Sequence, residues 1–194
     1  MSGQNKNRKF ISMSTLIIHP DDRSTDFLRP IYAKVPNATI VTGGIDKSDV
    51  AQLIAEHEQV MMMGHGSPFG LFAVGDWRGT YGYIIDYTMV PMLRQKTNNV
   101  FIWCNADKFV NTYNLKGFYS GMFISEVGEA YYCGLPNTKQ ETVTASNNYF
   151  AELVGEVIAE KPLAETYTYV KENYGLLAES NPVALYNFNR LYLN

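Results

Sequence analysis

The feature that most restricts the fold of this chain is a series of short apolar runs, each closed by turn-forming residues. The runs occupy residues 15–18, 38–42, 59–63 and 99–103. A continuous apolar run of about four to eight residues that ends at a turn is typical of a strand buried on both faces, as in a parallel sheet. Helical patterns at 27–34 and 46–57 separate the first three runs. The resulting order βαβαβ predicts a parallel sheet with right-handed crossovers.

The rest of the chain extends this pattern. A loop or small hairpin is predicted at 67–82, a helix at 86–95, a fifth strand at 121–125 and the beginning of a sixth at 130–133. The tail is predicted to contain helices at 149–158, capped by Ser146, and at 163–174, and a last apolar segment at 183–193. We therefore expect an α/β fold, a three-layer αβα sandwich with a mostly parallel sheet of about six strands. Residues 14–194 are expected to form one domain after a frayed leader at 1–13.

Composition argues against several classes of protein. The 194 residues are 46% hydrophobic and 18% charged, as in an ordinary globular chain. The net charge of -3, without a basic stripe, gives no reason to expect nucleic acid as a partner. No apolar stretch approaches the roughly 18 residues of a membrane span, and the leader lacks the apolar core of a secretion signal. Two cysteines make no disulfide framework, so we expect a reducing, cytoplasmic location.

Two of the apolar runs end in residues suited to nucleophilic catalysis. The third run leads into Gly64-His65-Gly66 and the fourth into Cys104. In an open α/β sheet, functional residues collect beyond the carboxyl ends of the strands, so an imidazole and a thiol would share one edge. A neighbouring histidine lowers the pKa of a cysteine thiol and then protonates the leaving amine. The pattern predicts a Cys–His dyad.

Acyl transfer also needs donors for the oxyanion of the tetrahedral intermediate. The backbone amide of Gly66 follows the histidine directly and carries no side chain that would shield it. Together with the amide of Cys104, it is the expected oxyanion hole. No cofactor and no metal ion are expected for this chemistry.

The two blocks, VMMMGHGS and VFIWCNAD, resemble the motifs of the caspase-like (clan CD) cysteine peptidases, in which an apolar block ending in His-Gly precedes one ending in Cys. The tail segments NNYFAELVGEVIAEKPLAETYTYVKENY and NPVALYNFNRLYL resemble those of CHAT-type proteases in particular. The resemblance implies a caspase-like sheet with the dyad on neighbouring strands. It implies His65 as general acid and base, Cys104 as nucleophile, and polypeptides as substrates.

The residues around Cys104 depart from the caspase pattern, which has Gln-Ala before the cysteine and a glycine two positions after it. Ile102-Trp103 and Asn105-Ala106 stand there instead, so the aspartate specificity of caspases is not implied. The family's pocket-forming segments correspond to charged candidates here: Asp21, Asp22, Arg23, Asp107 and Glu126. Carboxylates that face the pocket would favour a basic P1 residue, and an arginine would favour an acidic one. The alternative for the first three is a capped, solvated turn.

Two other functions remain open from the sequence. One is a catalytically inactive caspase-like module that binds or signals. The other is a zinc-dependent N-deacetylase, because His19-Pro20-Asp21-Asp22 resembles the opening motif of the LmbE type. That family continues with Glu, where this chain has Arg23, and needs a later histidine cluster, for which only His57 and His65 are available.

Cys133 and the tyrosines are interpreted as structural. Cys133 is predicted to lie in a strand, without a redox role. The chain contains 14 tyrosines, several of them on the predicted tail helices. We expect them to lie in the core and at its edge, where the ring is buried and the hydroxyl reaches a polar partner. The same residues would also suit the surface of a homo-oligomer.

Overall fold

A computed structural model describes residues 13–194 of the protein. Its strands are β1 (Thr15–Ile18), β2 (Thr39–Val41), β3 (Ile45–Asp46), β4 (Gln59–Met63), β5 (Gly66–Ser67), β6 (Gly70–Phe72), β7 (Trp77–Arg78), β8 (Tyr83–Ile85), β9 (Asn99–Ile102), β10 (Gly117–Ser120) and β11 (Leu191–Leu193). Its α-helices are α1 (Lys47–Glu56), α2 (Val90–Leu93), α3 (Ala106–Tyr113), α4 (Val127–Tyr132), α5 (Gln140–Val157), α6 (Leu163–Ala178) and α7 (Pro182–Phe188). Two 3-10 helices span Arg23–Ile31 and Tyr87–Met89.

The central sheet has six strands in the order β11-β10-β9-β4-β1-β2. All neighbouring pairs are parallel except β10 and β11, which are antiparallel. Every residue of β1, β4, β9 and β10 is buried. The apolar runs at 15–18, 59–63 and 99–103 therefore form interior strands, whereas the run at 38–42 forms the edge strand β2. The predicted α/β class with a mostly parallel sheet of about six strands is confirmed.

Helices cover both faces of this sheet. On one face, α5, α6, α7 and the first 3-10 helix pack through a buried cluster that includes Phe150, Tyr174 and Ala184. On the other face, α1, α2 and α3 pack through a cluster that includes Ile54 and Phe109. Side chains of β4 and β9 alternate between the two clusters, as the period of a strand requires.

Two strand predictions are wrong. The fifth strand is Gly117–Ser120, not 121–125. Gly117 has φ +146, and a Cβ there would overlap the backbone of Asn99, so only glycine fits where β10 begins beside β9. The segment 121–125 is apolar because it is buried, but the side chain of Asn187 takes the place of a neighbouring strand. It accepts from Ile124 N at 2.7 Å and donates to Ile124 O at 3.0 Å.

The predicted sixth strand at 130–133 lies in and just after α4, where Cys133 is the C-cap. A capping box between Glu126 and Glu129 starts this helix and outweighs the strand preference of the tyrosines. The sixth strand of the sheet is instead β11, which the last apolar segment forms after α7.

The predicted cap of the first tail helix is also wrong. Helix α5 begins at Gln140, so Ser146 lies within the helix and does not cap it. The Ser146 hydroxyl bonds Tyr174 Oη at 2.6 Å.

The region 67–82 forms small hairpins rather than a long loop, since β5, β6 and β8 make a three-stranded sheet beside the central one. The leader expected at 1–13 lies, except for Met13, outside the described residues. Among the helices of residues 13–194, none has the length and apolar character needed to cross a bilayer.

Candidate active site

The strand β4 delivers His65 to the carboxyl edge of the sheet. Gly64 follows the strand and donates from its amide to Ile102 O at 3.1 Å, which extends the ladder between β4 and β9 by one bond. Its φ of +142 turns the chain away from the sheet, and β5 begins directly after His65. The imidazole is therefore fixed between the end of a buried strand and the start of a hairpin.

The strand β9 delivers Cys104 to the same edge. Cys104 lies between the end of this strand and α3, and Asn105 behind it has a left-handed conformation with φ 66. The amide of Asn105 donates to Gly121 O at 3.1 Å, which holds this turn. Asparagine tolerates the left-handed region better than most residues, so it suits the tight turn after the thiol.

The register of the two strands brings His65 and Cys104 side by side. Met63 of β4 pairs with Ile102 of β9, and the two functional residues follow two positions after each of them. Both line one small cavity of about 20 Å³, whose other lining residues are Thr25, Phe27, Leu28, Gly64, Ile102, Trp103, Phe123 and Ser125. A cavity of this size holds about one water molecule. The imidazole and the thiol thus line one shared cavity.

The environment of Cys104 opposes ionisation of its thiol. The sulfur lies 3.3 Å from Phe123 O and 3.6 Å from Glu129 Oε1, both of which are acceptors for its S–H. Burial, and after it the charge of Glu129, raise the pKa of Cys104 to about 12. In this conformation Cys104 is a neutral thiol.

Glu129 was not predicted as a site residue. Its Oε2 accepts from the amide of Ser125 at 2.7 Å, from the Ser125 hydroxyl at 2.9 Å and from the amide of Glu126 at 3.1 Å. These bonds hold the carboxylate at the start of α4, with its other oxygen toward the thiol. The sequence signal, Glu126 with Glu129 three positions later, predicts a capping box but not the thiol beside it.

The ring of His65 contacts the loop after β1. Its Nε2 lies 2.6 Å from Ser24 Oγ and 3.7 Å from Asp22 Oδ2. Asp22 Oδ1 accepts from the amide of Ser24 at 2.9 Å and from its hydroxyl at 2.8 Å. These two bonds, the amide first, hold the pKa of Asp22 below its usual range. No hydrogen bond joins His65 to Cys104 within residues 13–194 of this conformation.

The backbone amides predicted to bind the oxyanion belong to Gly66, in β5, and to Cys104, directly after β9 and Trp103. Phe72 donates to His65 O at 2.9 Å, and Gly66 pairs with Leu71. Since hydrogen-bonded and non-hydrogen-bonded pairs alternate between antiparallel strands, the amide of Gly66 points away from β6. A Cβ on Gly66 would overlap the Trp103 indole, so glycine is required at this position. The amide of Cys104 has no acceptor within the described part of the chain.

The five charged candidates for the specificity pocket lie in different surroundings. Asp22 alone has a recorded contact with the His65 ring, whereas Asp21 forms an exposed ion pair with Arg29 at 3.0 Å. Arg23 is exposed in the 3-10 helix. Asp107 lies in the first turn of α3, with one buried oxygen that has no donor among the described residues. Glu126 is exposed at the N-cap of α4.

His19 has a structural environment. It is 2% exposed, its Nδ1 lies 2.9 Å from Tyr32 Oη, and its Nε2 lies 3.0 Å from Thr25 Oγ1. Burial, and then the charge of Arg29, lower the pKa of His19 to about 4, so the ring is neutral at pH 7. Both ring nitrogens already have hydroxyl partners, and residues 13–194 contain no group of three His, Cys, Asp or Glu side chains arranged to hold a metal ion.

The comparisons with known proteins give no family. No family model matches the chain, and no curated protein matches it.

Proposed function

We propose that the protein is a cysteine peptidase of the caspase-like type, with Cys104 as nucleophile and His65 as general acid and base. The observation that carries the proposal is the equivalent position of the two residues beyond neighbouring parallel strands, where they line the same cavity. A nucleophile and a base need to come within hydrogen-bond reach, directly or through one water. Two residues at matched positions on adjacent strands, lining one cavity, support that requirement.

The reaction follows from the groups at this edge. Cys104 Sγ attacks the scissile carbonyl carbon while its proton passes to His65, and the carbonyl oxygen becomes an oxyanion bound by the amides of Gly66 and Cys104. His65 then protonates the leaving amine as the C–N bond breaks, which leaves a thioester on Cys104. Water attacks the thioester, gives a proton to His65, and the thiol leaves with that proton as the carboxylic acid product forms.

The raised pKa of Cys104 sets how the first step proceeds. A thiol with a pKa of about 12 is not a preformed thiolate at neutral pH, so proton transfer to His65 accompanies the attack. Access also requires a movement of side chains. The rings of Phe27 and Phe123 stack with centroids 6.5 Å apart and line the cavity, which at about 20 Å³ is too small for a peptide group, so substrate entry requires lining side chains to move.

The proposal is tested by labelling with an electrophilic peptide library together with a peptide-cleavage profile. The wild type is compared with Cys104→Ala and His65→Ala, and Cys133→Ala is the matched control because Cys133 is the other free cysteine. We expect cleavage and labelling in the wild type and in Cys133→Ala, and loss of both in the other two variants. Cleavage that persists in Cys104→Ala would rule out Cys104 as the nucleophile. The residue preference at P1 in the same data gives the charge of the pocket.

The burial of Cys104 favours a second candidate, a catalytically inactive caspase-like module that binds other proteins. In that case the bonds to Phe123 and Glu129 are permanent and the thiol has only a packing role. The same labelling experiment separates the two candidates. A folded protein whose Cys104 stays unlabelled by every peptide electrophile, but reacts after unfolding, would support the inactive module and contradict the peptidase.

A further inference from the structure

The side of the His65 ring that faces Ser24 is already occupied before any substrate is present. Ser24 Oγ lies 2.6 Å from Nε2, and Asp22 Oδ1 lies 2.8 Å from Ser24 Oγ. A hydroxyl has one proton to donate, so it donates either to the carboxylate or to the imidazole. If the hydroxyl donates to the carboxylate, Nε2 of the ring must carry the proton; if it donates to the ring, Nε2 must be the acceptor.

The charge of Asp22 settles that choice. The pKa of Asp22 is held below its usual range, so this side chain is a carboxylate that can only accept. A hydrogen bond to an ionised acceptor is about twice as strong as one between neutral groups. The Ser24 proton therefore points to Asp22, and the oxygen of Ser24 accepts from His65 Nε2–H. In the neutral ring the free lone pair is then on Nδ1.

The loop that carries Ser24 is itself held in place by buried bonds. The amide of Thr25 and its hydroxyl both donate to Asp22 O at 3.0 Å. Thr25 Oγ1 also contacts His19 Nε2, and His19 contacts Tyr32 through its other nitrogen. The buried bonds of His19 and the partly buried bonds of Thr25 and Ser24 form one connected network, which favours a single position of Ser24 beside the ring.

We propose that Ser24, backed by Asp22, is a positioning residue that holds His65 as the Nε2–H tautomer and leaves Nδ1 to exchange the proton with Cys104. The inference rests on the proposed peptidase function. When Nδ1 takes the thiol proton, Nε2–H keeps its bond to Ser24, and the carboxylate of Asp22, 3.7 Å from Nε2, faces the positive charge that forms. In the triad of serine proteases, a third group fixes the imidazole tautomer and stabilises the imidazolium in the same way.

The chain contains a matched control for this arrangement. Asp86 accepts from the amide of Thr88 and from its hydroxyl at the start of the second 3-10 helix, as Asp22 does with Ser24. No histidine ring contact with Thr88 is recorded among residues 13–194. Thr88→Ala therefore removes the same local bond as Ser24→Ala without touching the His65 ring, and Ser24→Thr keeps the hydroxyl at position 24.

The test combines nitrogen NMR of the imidazoles with steady-state kinetics. The chain has three histidines, so ¹⁵N-histidine labelling gives few signals, and His65→Gln assigns those of His65. We expect the Nε2–H tautomer in the wild type, in Ser24→Thr and in Thr88→Ala, and its loss in Ser24→Ala. With the best substrate of the peptide library, kcat of Ser24→Ala should fall about 10- to 100-fold, while KM stays within about 2-fold of the wild type.

Any of these results would overturn the inference: an Nδ1–H tautomer in the wild type, an unchanged His65 spectrum in Ser24→Ala, or an equal loss of kcat in Ser24→Ala and Thr88→Ala. Loss of cleavage in Ser24→Ala with full cleavage in Cys104→Ala would make Ser24 the nucleophile and would overturn it as well. A wild type that shows the expected tautomer and its dependence on Ser24, but cleaves no peptide, contradicts the peptidase function instead. The NMR measurement thus distinguishes a failure of the inference about Ser24 from a failure of the proposed peptidase function.

Discussion

Two segments at the carboxyl edge of the sheet, one after β1 and one at the start of α4, each contain a carboxylate that accepts from a serine. The two carboxylates have opposite effects on the two proposed catalytic residues. In the first loop, Asp22 accepts from the amide and the hydroxyl of Ser24. In the second, Glu129 accepts from the amide and the hydroxyl of Ser125. In the proposed reaction the first carboxylate faces the positive charge that would form on His65, whereas the second opposes a negative charge on Cys104. The difference arises because an ionised imidazole is positive and an ionised thiol is negative, so a neighbouring carboxylate stabilises the first and destabilises the second.

Under the proposed peptidase function, this comparison separates a histidine side that suits the reaction from a cysteine side that opposes it. The histidine side holds the ring in one orientation with an anion behind it. The cysteine side keeps the thiol protonated, since Glu129 Oε1 and Phe123 O are its acceptors. If the protein is a peptidase, we expect activation to require a change around Phe123 and Glu129 and not at the loop after β1.

The largest effect is expected from Asn187, whose side chain holds the segment 121–126 near Cys104. Asn187 is fully buried and satisfies both backbone groups of Ile124. Asn187→Ala leaves an amide and a carbonyl buried without partners, at about 1–3 kcal/mol each. We expect the free energy of unfolding, measured in urea, to fall by about 2–5 kcal/mol. The exposed neighbour is the control: Asn189→Ala should change it by less than about 0.5 kcal/mol. Similar values for both variants would mean that this loop does not depend on Asn187.

The next largest effect is the dependence of the free energy of unfolding on pH, which His19 produces beneath the loop after β1. Because the folded-state pKa of His19 is about 4, below the ordinary 6.5, the unfolded chain binds a proton there first as pH falls. The stabilisation is complete above pH 6.5 and is lost as pH falls from 6.5 to 4. The loss amounts to about 3 kcal/mol. Denaturant unfolding across this range should show the slope in the wild type and a reduced slope in His19→Gln. Equal slopes would remove His19 from the acid response.

The sequence predicts the parts of the site that depend on strand order. Apolar runs and turn residues are local signals, and parallel register then places His65 beside Cys104. The surroundings of each group could not be predicted in the same way. Ser24 lies 41 positions before His65, and Asp22 with Ser24 has the pattern of a helix cap, which it also is. Asn187 lies 63 positions after Ile124, so the local sequence gives no sign that its side chain bonds the Ile124 backbone. The segment 121–125 therefore has the apolar pattern of a strand although it pairs with no strand among the described residues.

A smaller effect is expected from the charge beside the thiol. Glu129→Gln removes the carboxylate while keeping an oxygen that can accept from Ser125. We expect the pKa of Cys104 to fall by about one unit, which raises the rate of alkylation by a small iodoacetamide reagent about 10-fold at mildly alkaline pH. Glu126→Gln is the matched control, because Glu126 belongs to the same capping box and is exposed. If the two variants react at the same rate, burial alone keeps the thiol neutral.

The smallest effect is expected from Ser125→Ala, the counterpart of Ser24→Ala. The Ser125 hydroxyl donates to Glu129, and no histidine contact is recorded for it within the described residues. Its loss removes one hydrogen bond, so the free energy of unfolding should fall by about 1 kcal/mol, while the His65 nitrogen spectrum stays that of the wild type. Ser24 differs because its oxygen joins a carboxylate to a ring nitrogen. A change in the His65 tautomer in Ser125→Ala would show that the two loops are coupled through the cavity and that each serine does not act on its own side alone.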